Sequence, residues 1–271
     1  MDKGGSDSPR DVLPAFVGPV AVLLGWGAMQ AVAFVGIRQG WLVSAFRPML
    51  LASELALLAP GLLLLALFGS SAPLAMRRLD RRAALLGLLL AGSLWGMSLG
   101  VFEVQYALWP PPPGYVDAFR RVHAALRPAN ALDALFSLAA IAVVPALCEE
   151  LLFRGVVLSC FVKGLGRWGA VVASSLLFGL IHVDFTPQPT FYRVPFACAV
   201  GMALGAIRLA AGSLSPAMLA HATLNTITFV VTPLVDDPSQ PAPDPRPLLG
   251  ALLLAAGIGL TGVLLRRLRE R

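Results

Sequence analysis

Residues 131–162 read ALDALFSLAAIAVVPALCEELLFRGVVLSCFV. The run is long enough to cross a bilayer as a helix, which needs about 20 mostly apolar residues. It nevertheless carries Glu149, Glu150 and Arg154 within six positions. An ionised side chain at mid-bilayer costs roughly 2.5–3.5 kcal/mol on insertion scales. The sequence therefore indicates that these three side chains have partners, or a chemical task, inside a membrane bundle.

The chain as a whole is strongly apolar. Of its 271 residues 57% are hydrophobic and only 13% are charged, whereas a typical soluble domain carries about 25% charged residues. One water-soluble core cannot hide that much apolar surface, so the composition excludes a soluble enzyme, and it excludes a disordered chain. Three cysteines, Cys148, Cys160 and Cys198, lie inside apolar runs, which predicts no disulfide framework.

The apolar runs predict an all-α, polytopic membrane bundle of about eight transmembrane helices. The predicted spans are residues 12–37, 48–76, 83–102, 131–162, 168–181, 194–207, 214–235 and 247–265.

These spans divide the chain into three parts. Residues 1–130 hold three spans and a polar loop, and residues 131–235 hold the spans that carry most of the buried polar groups. Residues 236–271 hold a Pro- and Asp-rich loop, which is predicted to be solvated, the last span and a basic tail.

The basic residues predict the orientation in the membrane, because cytoplasmic loops carry an excess of Lys and Arg. With eight spans both termini lie on one side. That side receives 13 of the 21 Lys and Arg residues, among them the clusters at 77–82 and 266–271, and the other side receives 7. Both termini are therefore predicted to be cytoplasmic. On this interpretation the basic residues set topology and do not bind nucleic acid.

Two of the three charges in residues 131–162 have a simple explanation. Glu150 and Arg154 are four positions apart, so they share a helix face and can form a structural ion pair. Glu149 is rotated by about 100° from Glu150. It cannot join that pair in the same way, and it is the charge that lacks a local explanation.

Three further polar residues lie in later spans. His182 ends the apolar run 168–181, where a histidine is commonly a core residue bonded to a backbone carbonyl. His221 and Asn225 are four positions apart and project from one helix face, where polar residues often bond neighbouring helices. The combination of these residues with Glu149 indicates a chemical function in addition to helix packing.

Such a set can perform two kinds of chemistry. A carboxylate, two imidazoles and an amide can activate water and stabilise an oxyanion. Alternatively, Glu149, His182 and His221 can hold a catalytic zinc with an open position; the single-helix motif HExxH is absent. Two non-proteolytic interpretations remain: a membrane scaffold or immunity-type protein whose polar residues lock helices together, and a small transporter with a proton relay.

The ordered motifs resemble a known family. Glu149-Glu150-x-x-x-Arg154, Phe178-x-x-x-His182 and His221-x-x-x-Asn225 are similar to the three motifs of the CPBP intramembrane proteases, which include type II CAAX prenyl endopeptidases and bacterial Abi-like proteins. The resemblance covers about residues 131–235.

The resemblance implies an intramembrane endopeptidase that cleaves a membrane-anchored or lipid-modified protein. By position, Glu149 would be the general base for water, assisted by His182. His221 and Asn225 would stabilise the oxyanion, and Glu150 and Arg154 would support the site. No cofactor is favoured, because an amide such as Asn225 is a poor zinc ligand and a good oxyanion donor; zinc is the alternative.

The resemblance also bears on location and cargo. The Arg- and Ala-rich composition suggests a bacterial protein of the inner membrane, where prenylated cargo is not expected. Bacterial members of the family include immunity-type proteins and myxosortase-type enzymes that process sorting tails of surface proteins. In each case the expected partners are the lipid bilayer and a membrane-anchored protein substrate.

Overall fold

A computed structural model describes residues 13–68, 74–185, 189–235 and 244–270. Within these ranges the chain is α-helical, and its extended pairing is limited to one isolated bridge between Asp184 and Thr190. The all-α prediction is therefore confirmed. The helices are α1 (Val17–Arg38), α2 (Trp41–Ser44), α3 (Phe46–Phe68), α4 (Arg81–Leu108), α5 (Tyr115–Ala125), α6 (Ala131–Leu138), α7 (Val144–Glu150), α8 (Leu158–Leu180), α9 (Val194–Ala211), α10 (Ser215–Val235) and α11 (Pro247–Arg269).

Six helical stretches in the described part of the chain are long and apolar enough to cross a membrane: α1, α3, α4, the continuous stretch Ala131–Leu180, α9 and α11. The stretch Ala131–Leu180 joins α6, α7 and α8 and contains two of the predicted spans. With α10, each of the eight predicted spans coincides with a helix or with one arm of a helix.

Gly166 divides the long stretch into two antiparallel arms. Its backbone angles, φ 68° and ψ 174°, are not helical, and the positive φ is readily available only to glycine. Beyond Gly166 the chain runs back beside the first arm. This return is shown by a hydrogen bond of 2.8 Å that Ser174 Oγ donates to the carbonyl of Phe153. A straight helix would separate those two residues by about 31 Å. The reversal thus places the helical arm before His182 beside the segment that carries Glu149 and Glu150.

Residues 144–157 lie in the middle of the bundle. The helices α1 and α3 pack against each other and against this segment, and α10 packs against it as well. The helix α4 covers α10, α11 lies along α4, and the second arm of α8 packs against α9. The charged residues of the central segment are therefore surrounded by protein, as polar side chains at membrane depth require.

Two π-helical turns flank the central helix α7, at Ala139–Val143 and Leu151–Val157. The first precedes Pro145, which has no N–H and whose ring would clash with a carbonyl of the preceding turn in a regular helix. A wider turn relieves that clash. The second contains Arg154 and follows Glu150 directly. Single π-turns within α-helices are often found at functional sites.

The structure differs from the sequence predictions at some boundaries. The second predicted span corresponds to α3 (Phe46–Phe68), and residues 74–76 at the end of that span are not α-helical. The polar loop after the third span contains the helix α5, which no apolar pattern in the sequence predicted. The predicted solvated loop falls largely on residues 236–243, outside the described residues. The cysteines Cys148, Cys160 and Cys198 are free, as predicted.

Candidate active site

The carboxylate of Glu150 joins two helices at the centre of the bundle. Its Oε1 accepts a hydrogen bond of 2.9 Å from Arg154 Nη1, which confirms the predicted pair. The same oxygen lies 3.0 Å from His221 Nδ1 on α10. A carboxylate accepts, so His221 Nδ1 carries the proton of this bond. Glu150 and Arg154 are almost completely buried, and the pair therefore fixes the orientation of the His221 ring.

The guanidinium of Arg154 is enclosed on its remaining sides. Its Nη2 donates a hydrogen bond of 2.9 Å to the carbonyl of Gly201 on α9. Its central carbon lies 4.5 Å from the centre of the Phe178 ring, a cation–π contact. A Cβ at Gly201 would stand 3.2 Å from that ring, so the absence of a side chain lets α9 approach closely. Arg154 thus links three helical segments.

Glu149 faces the other nitrogen of the same imidazole. Its Oε2 lies 3.6 Å from His221 Nε2, and both side chains are buried. This separation is too long for a direct hydrogen bond and short enough for one water molecule to bridge both atoms. The charge that had no local explanation in the sequence therefore has His221 as its neighbour.

His182 lies just beyond the end of α8, in the turn that follows Leu180. Its Nδ1 is 2.7 Å from the carbonyl of Phe178, so Nδ1 donates and Nε2 keeps its lone pair. The centre of the Phe178 ring lies 4.7 Å from that of the His182 ring and 6.1 Å from that of the His221 ring. Both histidines thus contact the same aromatic ring, and the bond of His182 to a carbonyl matches the core-histidine interpretation.

Asn225 lies one turn after His221 on the same face of α10 and is half-buried. Thr228 and Thr232 continue this face and line a cavity of about 320 Å³. The cavity is enclosed mainly by aromatic residues of α4, α5, α9 and the loop before α9: Trp95, Phe102, Tyr106, Tyr115, Phe119, Tyr192 and Phe196. The polar face of α10 therefore runs from the buried network into an aromatic cavity.

Two charged residues that no motif singled out lie in the electrostatic surroundings of Glu149. One is Glu54 on α3, which interacts with Glu149 and with Cys148 and whose Oε2 is buried without a hydrogen-bond partner among the described residues. The sequence feature that could have identified Glu54 is that it is the one charged residue in the apolar run 48–76.

The other is Arg193, in the loop before α9. Arg193 interacts with Glu149 and His182 and also lines the cavity. Its Nε lies 3.6 Å from Asp184 Oδ2. Burial raises the pKa of the Asp184 carboxyl, while Arg193 and the Tyr115 hydroxyl act in the opposite direction. These residues form the polar edge of the site on the side of the loop between α8 and α9.

The zinc alternative requires three ligands that converge. In the part of the chain that the structure describes, no three His, Cys, Asp or Glu side chains are placed to hold a metal ion. Glu149 and His221 are adjacent, and the bond from His221 Nδ1 to Glu150 leaves Nε2 available, but no third ligand joins them among the described residues. As they are arranged in the described part of the chain, these side chains do not complete a zinc site.

Comparisons with known proteins identify the segment that contains this network. A comparison with curated proteins finds no match. Residues 131–227 match the family model described as type II CAAX prenyl endopeptidase, Rce1-like. The match includes Glu149, Glu150, Arg154, His182 and Asn225, and it leaves α1 to α5 and α11 outside. The resemblance to the CPBP proteases is thereby confirmed for this segment, which makes up 97 of the 271 residues of a multi-pass membrane protein.

Proposed function

We propose that this protein is an intramembrane endopeptidase that hydrolyses a peptide bond of a membrane-anchored protein with a water activated by Glu149. The observation that carries the proposal is the 3.6 Å contact between Glu149 Oε2 and His221 Nε2, on an imidazole whose other nitrogen is held by Glu150. The Rce1-like segment, which is that of an endopeptidase family, supports the reaction type.

The proposed water lies between Glu149 and His221. A neutral His221 that donates Nδ1–H to Glu150 presents a lone pair at Nε2. A water can then donate one hydrogen to that lone pair and one to the Glu149 carboxylate, which directs an oxygen lone pair toward the substrate. This arrangement supports a water-holding role for His221, in place of the oxyanion role that the family resemblance implied.

The remaining steps follow from proton balance. Glu149 takes a proton as the water oxygen bonds to the peptide carbon, and the side-chain amide of Asn225 donates a hydrogen bond to the developing oxyanion. The carbon–nitrogen bond then breaks as Glu149 returns its proton to the leaving nitrogen. The products are a carboxylic acid and an amine. His182, with its free Nε2 at the loop-facing edge, supports the entry of water.

The aromatic cavity is the proposed path of the substrate. It continues the α10 face that carries Asn225, and its aromatic walls suit apolar side chains or an attached lipid. Its proximity to Arg193 gives it a cationic edge. A polypeptide tethered to the bilayer would thus reach the buried carboxylate from a largely apolar environment.

A cleavage assay in lipid vesicles tests the proposal. The full chain is reconstituted with fluorogenic peptides that carry a farnesylated cysteine, a palmitoylated cysteine, an N-terminal acyl anchor or no lipid. Cleavage of an anchored peptide, with little cleavage of its lipid-free counterpart, is the expected result. Each measurement is repeated after treatment with a chelator. Cleavage that a chelator abolishes and added zinc restores would contradict the metal-free mechanism.

Asn225→Ala is expected to lower kcat by about 10²–10³-fold with little change in KM, because it removes an oxyanion donor that acts in the transition state. Thr228→Val is the matched control, since its hydroxyl already donates to the carbonyl of Leu224 at 3.0 Å and its side chain lines the cavity. The control should change KM more than kcat. Equal effects of the two variants on kcat would argue against the role of Asn225.

We further propose that the protein lies in a bacterial inner membrane with both termini in the cytoplasm. Single cysteines are placed at Arg81, before the third predicted span, and at Asp117 in α5. A membrane-impermeant maleimide added to intact spheroplasts should label Asp117→Cys, and Arg81→Cys only after permeabilisation. The opposite pattern would reverse the predicted orientation.

A further inference from the structure

A second pocket, of about 250 Å³, lies at the end of the bundle where α9 ends and α4 and α10 begin. Three arginines contribute to its wall: Arg77 and Arg78, which precede α4, and Arg269 at the end of α11. The backbone turn from Leu209 to Ser213 forms the opposite wall. None of the residues that line this pocket belongs to the Glu149 network, and its charged lining residues are all arginines.

Hydrogen bonds hold this pocket in shape. The Arg77 N–H donates to Ser213 Oγ at 3.0 Å, and Ser215 Oγ donates to the Arg77 carbonyl at 2.8 Å. The Leu214 N–H donates to the carbonyl of Ala75 at 3.1 Å. The backbone that carries Arg77 and Arg78 is thus fixed to the turn between α9 and α10, while the two side chains themselves are exposed.

A fourth arginine directly precedes the pocket residue Leu209, and its Nε has no hydrogen-bond partner among the described residues. This residue, Arg208, lies in the last turn of α9 and is half-buried, and the Nε atom itself is buried. Arg77 and Arg208 repel each other electrostatically. Because these two like charges interact and Arg208 is partly buried, an anion beside them would reduce the repulsion.

The carboxylates on this face are used elsewhere. Asp80 caps the N-terminus of α4, where its Oδ1 accepts from the Ala83 N–H at 2.8 Å. Glu270 lies 3.9 Å from Arg82. In the described part of the chain, none of the four arginines at the pocket takes part in an ion pair.

We propose that this pocket binds the phosphate group of an anionic lipid headgroup. Guanidinium groups suit phosphate because they offer pairs of N–H donors in one plane. Basic pockets between the ends of transmembrane helices are known to hold such headgroups. Met76 and Leu79 beside the arginines are exposed large apolar residues, which suits the acyl region of a lipid better than a free phosphate. This site is independent of the proteolytic function proposed above.

The test uses the purified full chain in detergent. Short-chain phosphatidylglycerol, short-chain phosphatidylcholine and inorganic phosphate are each titrated while the thermal unfolding midpoint and, by native mass spectrometry, lipid binding are followed. The variant Arg77→Gln/Arg208→Gln removes two of the four cations. Its matched control, Arg121→Gln/Arg127→Gln, removes two exposed arginines at the α5 end of the molecule.

Phosphatidylglycerol is expected to raise the midpoint of the wild type and of the control, and phosphatidylcholine is not. Affinity for phosphatidylglycerol should fall by about fivefold for each arginine removed, or about 25-fold in the double variant. Without lipid the double variant should be at least as stable as the wild type, since the repulsion is gone. If the double variant does not fold, Arg78→Gln replaces it, with an expected loss of about fivefold.

Three results would overturn the proposal. Equal affinity of the double variant and the control would show that the pocket is not the binding site. Equal stabilisation by phosphatidylcholine would show that headgroup charge is not recognised. Stabilisation by inorganic phosphate equal to that by phosphatidylglycerol would show that the ligand is a free phosphate and not a lipid.

Discussion

Glu149→Gln is expected to lower the rate of peptide cleavage by about 10²–10⁴-fold, because the amide keeps the shape of the side chain but cannot take a proton from water. Glu149 lies 3.6 Å from His221 and forms no closer ion pair in the described residues, so the variant should fold and insert normally. The measurement is single-turnover cleavage of an anchored peptide in vesicles, beside the yield of folded protein.

The control for this experiment is Glu270→Gln, a change of the same type next to the end of α11, where the carboxylate lies 3.9 Å from Arg82 and is exposed. It should leave cleavage unaltered. If Glu149→Gln cleaves the peptide at the same rate as the control, the proposed mechanism is contradicted. Absence of cleavage by the wild type across all anchored peptides would instead favour a scaffold in which the polar residues only join helices.

Arg154→Met is expected to destabilise the protein by about 3–5 kcal/mol, because it leaves the buried Glu150 carboxylate without its cation. The variant also loses the hydrogen bond to the Gly201 carbonyl and the contact with Phe178. Both folded yield and activity should fall, in contrast to Glu149→Gln, which should affect activity alone. The measurement is thermal unfolding in a mild detergent, in which the folded fraction is monitored as the temperature rises.

A second substitution separates charge from packing in this prediction. In Glu150→Gln/Arg154→Met the uncompensated charge is gone, and replacement of a buried ion pair by neutral groups of similar volume is often harmless to stability. The double variant should therefore recover folded yield relative to Arg154→Met. It should stay poorly active, since a neutral amide in place of the Glu150 carboxylate holds His221 less firmly. A double variant as unstable as the single one would show that packing of Arg154, and not its charge, is what matters.

The fold could be predicted largely from the sequence because apolar length is a property of a continuous segment. Each predicted span coincides with a helix or with one arm of a helix, and the reversal between the fourth and fifth spans lies at Gly166. The helix Tyr115–Ala125 was not predicted, because a short surface helix in a polar stretch produces no apolar run. The packing order of the helices depends on side-chain shape, which no local pattern contains.

Only those contacts of the candidate site that join residues close together in the sequence could be predicted. The Glu150–Arg154 pair follows from a spacing of four positions, and the structure confirms it. The bond between Glu150 and His221 joins residues 71 positions apart, so it depends on how α10 packs against α7. The neighbourhood of Glu54 and Glu149 likewise arises from α3 packing against α7.

The partners of Arg154 and Glu150 have a consequence for the order of membrane insertion. The hairpin Ala131–Leu180 leaves the ribosome before Gly201 and His221 do, because they follow it in the chain. Until those later helices arrive, the arginine lacks its carbonyl acceptor and the glutamate lacks its imidazole donor, and both face lipid or the translocation channel. Formation of the complete polar network therefore stabilises the chain once α9 and α10 have inserted. A chain that ends its insertion earlier keeps incompletely paired charges, which disfavour its release into the bilayer.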